Sequence, residues 1–210
     1  MDSSVLSLGF VAAAIGGYLL GSIPFGLVLG FAAGKGDIRK QGSGNIGATN
    51  MLRTGRKDLA LATLLLDAAK AGVALLIARY FFGPHEGLVA GGAAFFGHCF
   101  PVWLKFKGGK GVATFFGALF AGMPLVGAGA GVIWLLIAFV FRFSSLAALV
   151  AAAAAPVLAY LFHGDAWEIS FCALLAVLIA WRHHANIARL LKGEEPRIGD
   201  KKDAAKSPAR

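Results

Sequence analysis

The chain is short of charge. Of its 210 residues, 15% are Asp, Glu, Lys or Arg, where a soluble domain of this size carries about a quarter. It is also short of cysteine. Cys99 and Cys172 both lie in apolar segments, with neither a metal spacing nor a disulfide framework. No group of carboxylates in the basic loops could hold magnesium over a diphosphate, which counts against CDP-alcohol phosphotransfer. Walker A spacing, a nucleophile elbow and a His-x4-Asp pair are all missing. These absences remove nucleotide hydrolysis, covalent catalysis at Ser or Cys, and the usual His/Asp engine of coenzyme-A-dependent acyl transfer. A basic leader is missing too. Met1-Asp2-Ser3-Ser4 carries no positive charge, and the apolar run behind it reaches about Ala33. That run is too long for the core of a signal peptide and is expected to stay as a span.

What the chain has instead is apolar sequence, 58% of the total, gathered in long runs. The pattern predicts an all-α, polytopic membrane protein with seven transmembrane helices: Val5–Phe31, Leu59–Phe82, Gly87–Leu104, Val112–Gly122, Leu125–Phe141, Leu146–Phe162 and Ala166–Trp181. The fourth is short, roughly 16 Å of helix against a hydrocarbon core of ~30 Å. Lys and Arg cluster in short segments between runs and in the tail after Trp181. Lys35, Arg39, Lys40, Arg53, Arg56 and Lys57 lie in the first loop, Lys105, Lys107 and Lys110 in another, and Arg142 in a third. The intervening loops, around His85-Glu86, Gly122-Met123-Pro124 and His163-Gly164-Asp165, have no Lys or Arg. This alternation is juxtamembrane charge, not a nucleic-acid surface. It predicts basic loops in the cytoplasm of a bacterial inner membrane, an N-terminus outside and a C-terminus inside. Merging Val112–Phe141 into one span would break the alternation. Residues 1–192 read as one integral membrane domain, and residues 193–210 as a polar, disordered cytoplasmic tail.

Within the spans, Gly21-Ser22-Ile23-Pro24 predicts a kink in the first. Gly127–Gly131 and Ala147–Ala155 predict close helix contacts. Asp67 and Lys70, one turn apart in the second span, read as an ion pair, with a proton relay as the alternative.

Two basic loops carry the chemistry. In Gly42-Ser43-Gly44-Asn45-Ile46-Gly47-Ala48-Thr49-Asn50, three glycines let successive N–H groups converge into a nest for phosphate. Ser43, Asn45, Thr49 and Asn50 add donors, and Arg53 follows to fork onto phosphate oxygens. The plain alternative is an interhelical turn. In Lys105-Phe106-Lys107-Gly108-Gly109-Lys110-Gly111, Lys110 is a compact charge on bare backbone, whereas Lys105 and Lys107 also serve as membrane anchors. His98, inside its span, requires a partner; it is either a phosphate donor or proton carrier, or a histidine bonded to a neighbouring helix. Arg182-His183-His184-Ala185-Asn186 begins the tail, and Asn186 is the site candidate there. Ser144-Ser145 beside Arg142 reads as a cap for the sixth helix, compatible with an anion contact.

Taken together these motifs resemble a known family. Gly21–Pro24, Gly42–Asn50 with Arg53, Gly97-His98 with FKGGKGVAT over 106–114, Arg142 with Ser144-Ser145, and RHHANIARLL over 182–191 are similar, in this order, to the bacterial acyl-phosphate:glycerol-3-phosphate acyltransferases of the PlsY family. The resemblance runs to about Glu195. It implies seven spans and a cytoplasmic active site. It also implies transfer of an acyl group from an acyl phosphate to the 1-hydroxyl of glycerol 3-phosphate, giving 1-acylglycerol 3-phosphate and phosphate. By the same resemblance Ser43, Gly44, Asn45, Thr49 and His98 cradle the acyl phosphate, and Arg53, Lys110, Ser145, His183 and Asn186 hold glycerol 3-phosphate. Gly47, Asn50, Gly108 and Gly109 line the substrates, with Ser43, Arg53, His98 and Lys110 the catalytic set. Ser144 in place of Ser145, and His184 in place of His183, stay open. No cofactor or metal is implied. The expected partners are the two substrates and membrane lipid, without nucleic acid, for a monomer. A small anion transporter is the competing reading. It predicts paired repeats with broken helices near the midplane, and no such repeat is visible.

Overall fold

The computed structural model describes residues 3–40, 42 and 44–199. Among them every regular element is helical: α1 Ser3–Gly21, α2 Phe25–Ala32, α3 Ala48–Arg53, α4 Lys57–Phe81, α5 Pro84–Cys99, α6 Val112–Gly122, α7 Pro124–Phe141, α8 Ser144–Leu161, α9 Ala166–Arg182 and α10 His184–Leu191, with short 3-10 turns at Ile38–Lys40 and Val102–Leu104.

Five stretches are long and apolar enough to cross a bilayer: Leu8–Ala32, Lys57–Phe81, Pro84–Leu104, Pro124–Phe141 and Ser144–Leu161. A sixth forms only if α9 and α10 are taken together across their 64° bend. The 11 residues of α6 fall short of a bilayer on their own, as the sequence predicts for the fourth run. Large apolar side chains stand outward along these helices, among them Val11 and Ile15, Leu61 and Leu65, Leu135 and Phe139, and Val157 and Leu161. In water such a surface would aggregate; facing lipid it is the ordinary outside of a membrane protein.

With lipid outside, association relies on close contact between small residues. A Cβ on Gly17 would strike the backbone of Ala90, one on Gly21 that of Ala94, and one on Gly97 the carbonyl of Tyr18, so α1 and α5 touch backbone to backbone. Gly117 meets Ala68 in the same way between α6 and α4. Ala147, Ala148, Ala151, Ala152 and Ala155 are buried where α8 packs against α7 and α9, as the alanine run predicts.

The break in the first span falls where expected. α1 stops at Gly21 and α2 resumes at Phe25. The Ser22 hydroxyl donates to the carbonyl of Tyr18 at 2.7 Å, and the carbonyl of Ile23 accepts from the Lys70 ammonium at 2.9 Å. Other expectations shift. α8 begins at Ser144 with Phe143 at its cap position, a side chain with no oxygen to accept a cap bond, and the Ser145 hydroxyl, inside the first turn, donates to Glu195. The segment expected to be a disordered tail from Gly193 is anchored as far as Ile198. The Ile198 N–H donates to the carbonyl of Arg142 at 2.6 Å, and the Arg142 guanidinium donates to the Ile198 carbonyl at 2.7 Å. Residues 200–210 lie outside the described residues.

Candidate active site

The second glycine-rich loop folds back on the end of α5. The N–H of Gly108 donates to the carbonyl of Cys99 at 3.1 Å, and that of Gly109 to the carbonyl of His98 at 3.0 Å. Arg182, at the end of α9, clamps the other side, donating at 3.1 Å to each carbonyl of Gly108 and Gly109. Its guanidinium lies 5.0 Å from the Phe100 ring centre, a favourable cation–π placement. Lys105 and Phe106 turn the chain with φ of 53° and 61°, a strained pair of the kind that gathers at functional loops. Only glycine fits behind them. A Cβ on Gly108 would strike the His98 carbonyl, and one on Gly109 the His98 ring at Nε2.

His98 is 3% exposed, and so are its supports: Asp67 at 2% and Lys70 at 3%. The Lys70 ammonium lies 2.8 Å from Asp67 Oδ1 and 2.9 Å from His98 Nδ1. The ion pair expected between Asp67 and Lys70 is thus present, and it supplies the partner that a histidine within a span needs.

Lys110 points the other way, toward α10. Its ammonium donates to the side-chain carbonyl of Asn186. The amide of Asn186 donates to Glu195 Oε1 at 2.5 Å, the Ser145 hydroxyl donates to the same oxygen at 2.6 Å, and Arg189 Nε donates to Oε2 at 2.7 Å. Burial lowers the Lys110 pKa to about 8, and the nearby Arg189, Arg182 and Arg53 add to the fall against an opposing pull from Glu195. Burial tends to raise the Glu195 carboxyl, but the bonds from Ser145, Asn186 and Arg189 outweigh it and leave it below the ordinary range. Four cations thus face one carboxylate, which leaves a positive surplus. His183 is buried beside this group, with Nδ1 on the carbonyl of Ile179 at 2.8 Å. His184 is exposed. Between the two, geometry favours His183, and likewise buried Ser145 over Ser144.

The first glycine loop stands across from this cluster. Asn50 is buried, and its amide nitrogen donates at 2.8 Å to the carbonyls of both Ile38 and Asn45. Asn45 accepts from the N–H of Gly47 at 3.3 Å. Both asparagines therefore shape the loop. Gly42 and Gly44 take φ of 57° and 70°, the left-handed region that glycine tolerates. Arg53 is exposed on the last turn of α3, with its side chain against Gly42; Thr49 is exposed on the first turn. Ser43 lies outside the described residues.

The structure therefore gathers Arg53, His98, Gly108, Gly109, Lys110, Ser145, His183 and Asn186 at one end of the bundle. A crevice bordered by Leu75, Arg79, His85, Leu88, Asp165 and Glu168 opens at the other end and shares none of them. Sequence reasoning passed over Glu195 and the clamping role of Arg182. Arg182 stood in the motif that opens the tail, where Asn186 was the site candidate. Glu195 lies in a polar stretch with nothing to mark it.

Comparison with known proteins identifies the family. The family model described as glycerol-3-phosphate acyltransferase matches residues 11–193. A glycerol-3-phosphate acyltransferase of Maricaulis maris is 64% identical over 206 residues, covering 96% of this chain and 92% of that protein. One from Caulobacter vibrioides is 58% identical over 205 residues, covering 97% and 93%. Among solved structures, the glycerol 3-phosphate form of PlsY, an integral membrane glycerol 3-phosphate acyltransferase, superposes with a TM-score of 0.86 at 38% identity, covering 90% of this chain and 96% of that one. Its lysophosphatidic acid form gives 0.84 at 37%.

Proposed function

We infer the reaction from one premise: the chain belongs to the glycerol-3-phosphate acyltransferase family. It is an enzyme of the membrane that acylates glycerol 3-phosphate, and the finer reading proposed is as follows. The donor is an acyl phosphate, the acceptor is the 1-hydroxyl, and the products are 1-acylglycerol 3-phosphate and inorganic phosphate. The observation that carries this is the cationic surplus beside a glycine loop. Lys110 stands among Arg189, Arg182 and Arg53, with Glu195 as the opposing charge, a setting for the phosphate groups of two anionic substrates. Solved relatives named for glycerol 3-phosphate and lysophosphatidic acid forms support the same acceptor and product.

In this reading the nest at 42–47 with Ser43, Thr49 and His98 receives the acyl phosphate, while Asn45 and Asn50 keep the nest in shape. Lys110, Arg53, Ser145, His183 and Asn186 receive glycerol 3-phosphate, and Gly108 and Gly109 let both substrates approach the backbone. The acyl phosphate is a mixed anhydride and arrives activated. The hydroxyl oxygen bonds to the acyl carbon, and the bond from that carbon to the bridging oxygen breaks. Phosphate leaves with the electron pair, takes the hydroxyl proton and departs as hydrogen phosphate. Holding the two anions together and stabilising their charge supplies the rate. In the same reading the chain has seven spans with α6 the short one, this end lies at the cytoplasmic face of a bacterial inner membrane with the N-terminus outside, which the alternation of basic loops supports, and one chain contains the whole site.

Phosphate release by purified protein given acyl phosphate tests the reading. Release that requires glycerol 3-phosphate, yields lysophosphatidate and falls at least about tenfold in Lys110→Ala is expected. Release without acceptor would make the protein a hydrolase, and no release from folded protein in lipid would end the acyl-phosphate reading.

A further inference from the structure

We propose that Asp67 and Lys70 are positioning residues for acyl transfer: they hold His98 in the tautomer that carries its hydrogen on Nε2, so that the ring donates to the anionic acyl donor. The donor's identity rests on the function proposed above; the tautomer does not.

The argument begins with the break in the first span. Pro24 stops the helix, and the Ile23 carbonyl accepts from the Lys70 ammonium at 2.9 Å. Lys70 has two further neighbours at hydrogen-bond distance, Asp67 Oδ1 at 2.8 Å and His98 Nδ1 at 2.9 Å. An ammonium has three hydrogens and no lone pair. The peptide carbonyl and the carboxylate only accept, so the third partner must accept as well. Nδ1 is therefore the bare nitrogen, and a neutral imidazole then keeps its hydrogen on Nε2. Asp67 Oδ1 stands 3.5 Å from Nδ1; its short contact is to the ammonium, whose charge it balances.

The other nitrogen is the one that looks outward. Among the described residues, Nε2 has no hydrogen-bond partner, and it is absent from the sealed polar atoms, which are Thr114 Oγ1 and Trp134 Nε1. It lies against Gly109, where a single added carbon would collide with it. The loop that carries Lys110 thus leaves this donor uncovered by using glycine. Three elements distant in sequence, the α1–α2 break, α4 and the glycine loop, meet on one imidazole. A pair serving only to staple the helix break would have no need of the ring at 2.9 Å.

The test uses full-length protein in lipid nanodiscs with 15N-labelled histidine, the His98 resonances being assigned by their loss in His98→Gln. Wild type is expected to show a bare Nδ1 and a protonated Nε2. In Lys70→Met the single tautomer is expected to give way to a mixture. Its kcat should fall about 10–100-fold, the scale known when partners that orient a ligating histidine are removed, with KM for glycerol 3-phosphate unchanged. His98→Gln, whose amide nitrogen can occupy the Nε2 position, should retain more kcat than His98→Asn, whose amide reaches only the Nδ1 position. A hydrogen on Nδ1 in wild type overturns the proposal, as does Lys70→Met with unaltered tautomer and kcat. If Lys70→Met does not fold, the wild-type spectrum and the Gln/Asn pair decide. A chain that makes no lysophosphatidate from acyl phosphate, yet shows the expected spectrum, overturns the reaction and leaves the tautomer standing.

Discussion

Lys110 makes a prediction that pH alone can test. Burial and three neighbouring arginines hold its pKa near about 8 in the empty site, within the range of an ordinary assay. A phosphate dianion binds the charged ammonium far better than the neutral amine, so binding and protonation are linked. The sign follows directly. Below about 8 the side chain is already charged and pH has no effect through it. Above about 8 each pH unit removes the competent form about tenfold, so kcat/KM for glycerol 3-phosphate should fall with a slope approaching −1. At saturating substrate the bound phosphate raises the lysine pKa, so kcat should hold to higher pH than kcat/KM does. The low-pH limb belongs to the substrate, whose phosphate loses its second charge near ~6.

The assay is initial-rate phosphate release across pH 6 to about 9.5 at fixed ionic strength, since screening weakens all such contacts. Lys110→Arg serves as the control. A guanidinium stays charged throughout, so whatever activity it retains should lack the alkaline fall. Lys110→Ala should lose about 1.5–3 kcal/mol of charge-assisted binding, or about 10–150-fold in kcat/KM. A wild-type profile flat to pH 9.5 would refute the reasoning, as would an identical alkaline fall in Lys110→Arg. The first result would mean that Lys110 stays charged across the range, and the second that the alkaline fall arises from another group.

Other sites give equally direct expectations. Gly109→Ala, whose Cβ would meet the His98 ring, should cost about 1–3 kcal/mol of stability by overpacking and abolish turnover in the fraction that folds, read by melting temperature beside phosphate release. Glu195→Ala removes the acceptor shared by Ser145, Asn186 and Arg189; with those donors loosened, KM for glycerol 3-phosphate should shift at least about tenfold, from roughly 1–3 kcal/mol per orphaned group. His183→Ala should lower kcat/KM about tenfold or more, while exposed His184→Ala should stay within about twofold of wild type, and steady-state kinetics of the pair decides between them. Gly97→Leu would force α1 from α5 at the Tyr18 carbonyl, and its expected reading is loss of folded protein in detergent.

The all-helical architecture was legible because lipid imposes it. A chain in hydrocarbon must satisfy its own backbone, and long apolar runs leave helices as the answer. Gly21–Pro24 was legible as a break because proline forbids the continuing hydrogen bond. Hydropathy could not show that the break is used, with Ile23 receiving Lys70 from α4. Asn45 and Asn50 were singled out as donors for phosphate, yet composition cannot separate an amide that meets a ligand from one that ties a loop. Glu195 was invisible for a related reason. A carboxylate in a charged stretch reads as solvated until the fold brings Ser145, from 50 residues away, onto it. The serines of Ser144-Ser145 suggested a cap because local spacing is all that a sequence offers; the helix begins at Ser144, which puts Phe143 at the cap position and both serines inside the first turn.

Two different economies of charge then meet at one end of the bundle. Beneath the glycine loop, Asp67 and Lys70 cancel each other within the span, where an unpaired charge is expensive. Above it, Lys110, Arg53, Arg182 and Arg189 exceed Glu195, and the surplus is tolerable only where water or an anion can reach it. Arg182 is held by two peptide carbonyls and an aromatic ring, so it fixes the loop. Glu195 aligns the donors of α8 and α10 and offsets part of the repulsion among the cations before substrate arrives. In the proposed reading the cationic cluster is arranged for a phosphate, and its field weakens when a dianion binds. The glycines make that arrangement possible. They let buried His98 and half-buried Lys110 approach the same few peptide groups, and a Cβ on Gly108 or Gly109 would strike the His98 carbonyl or ring.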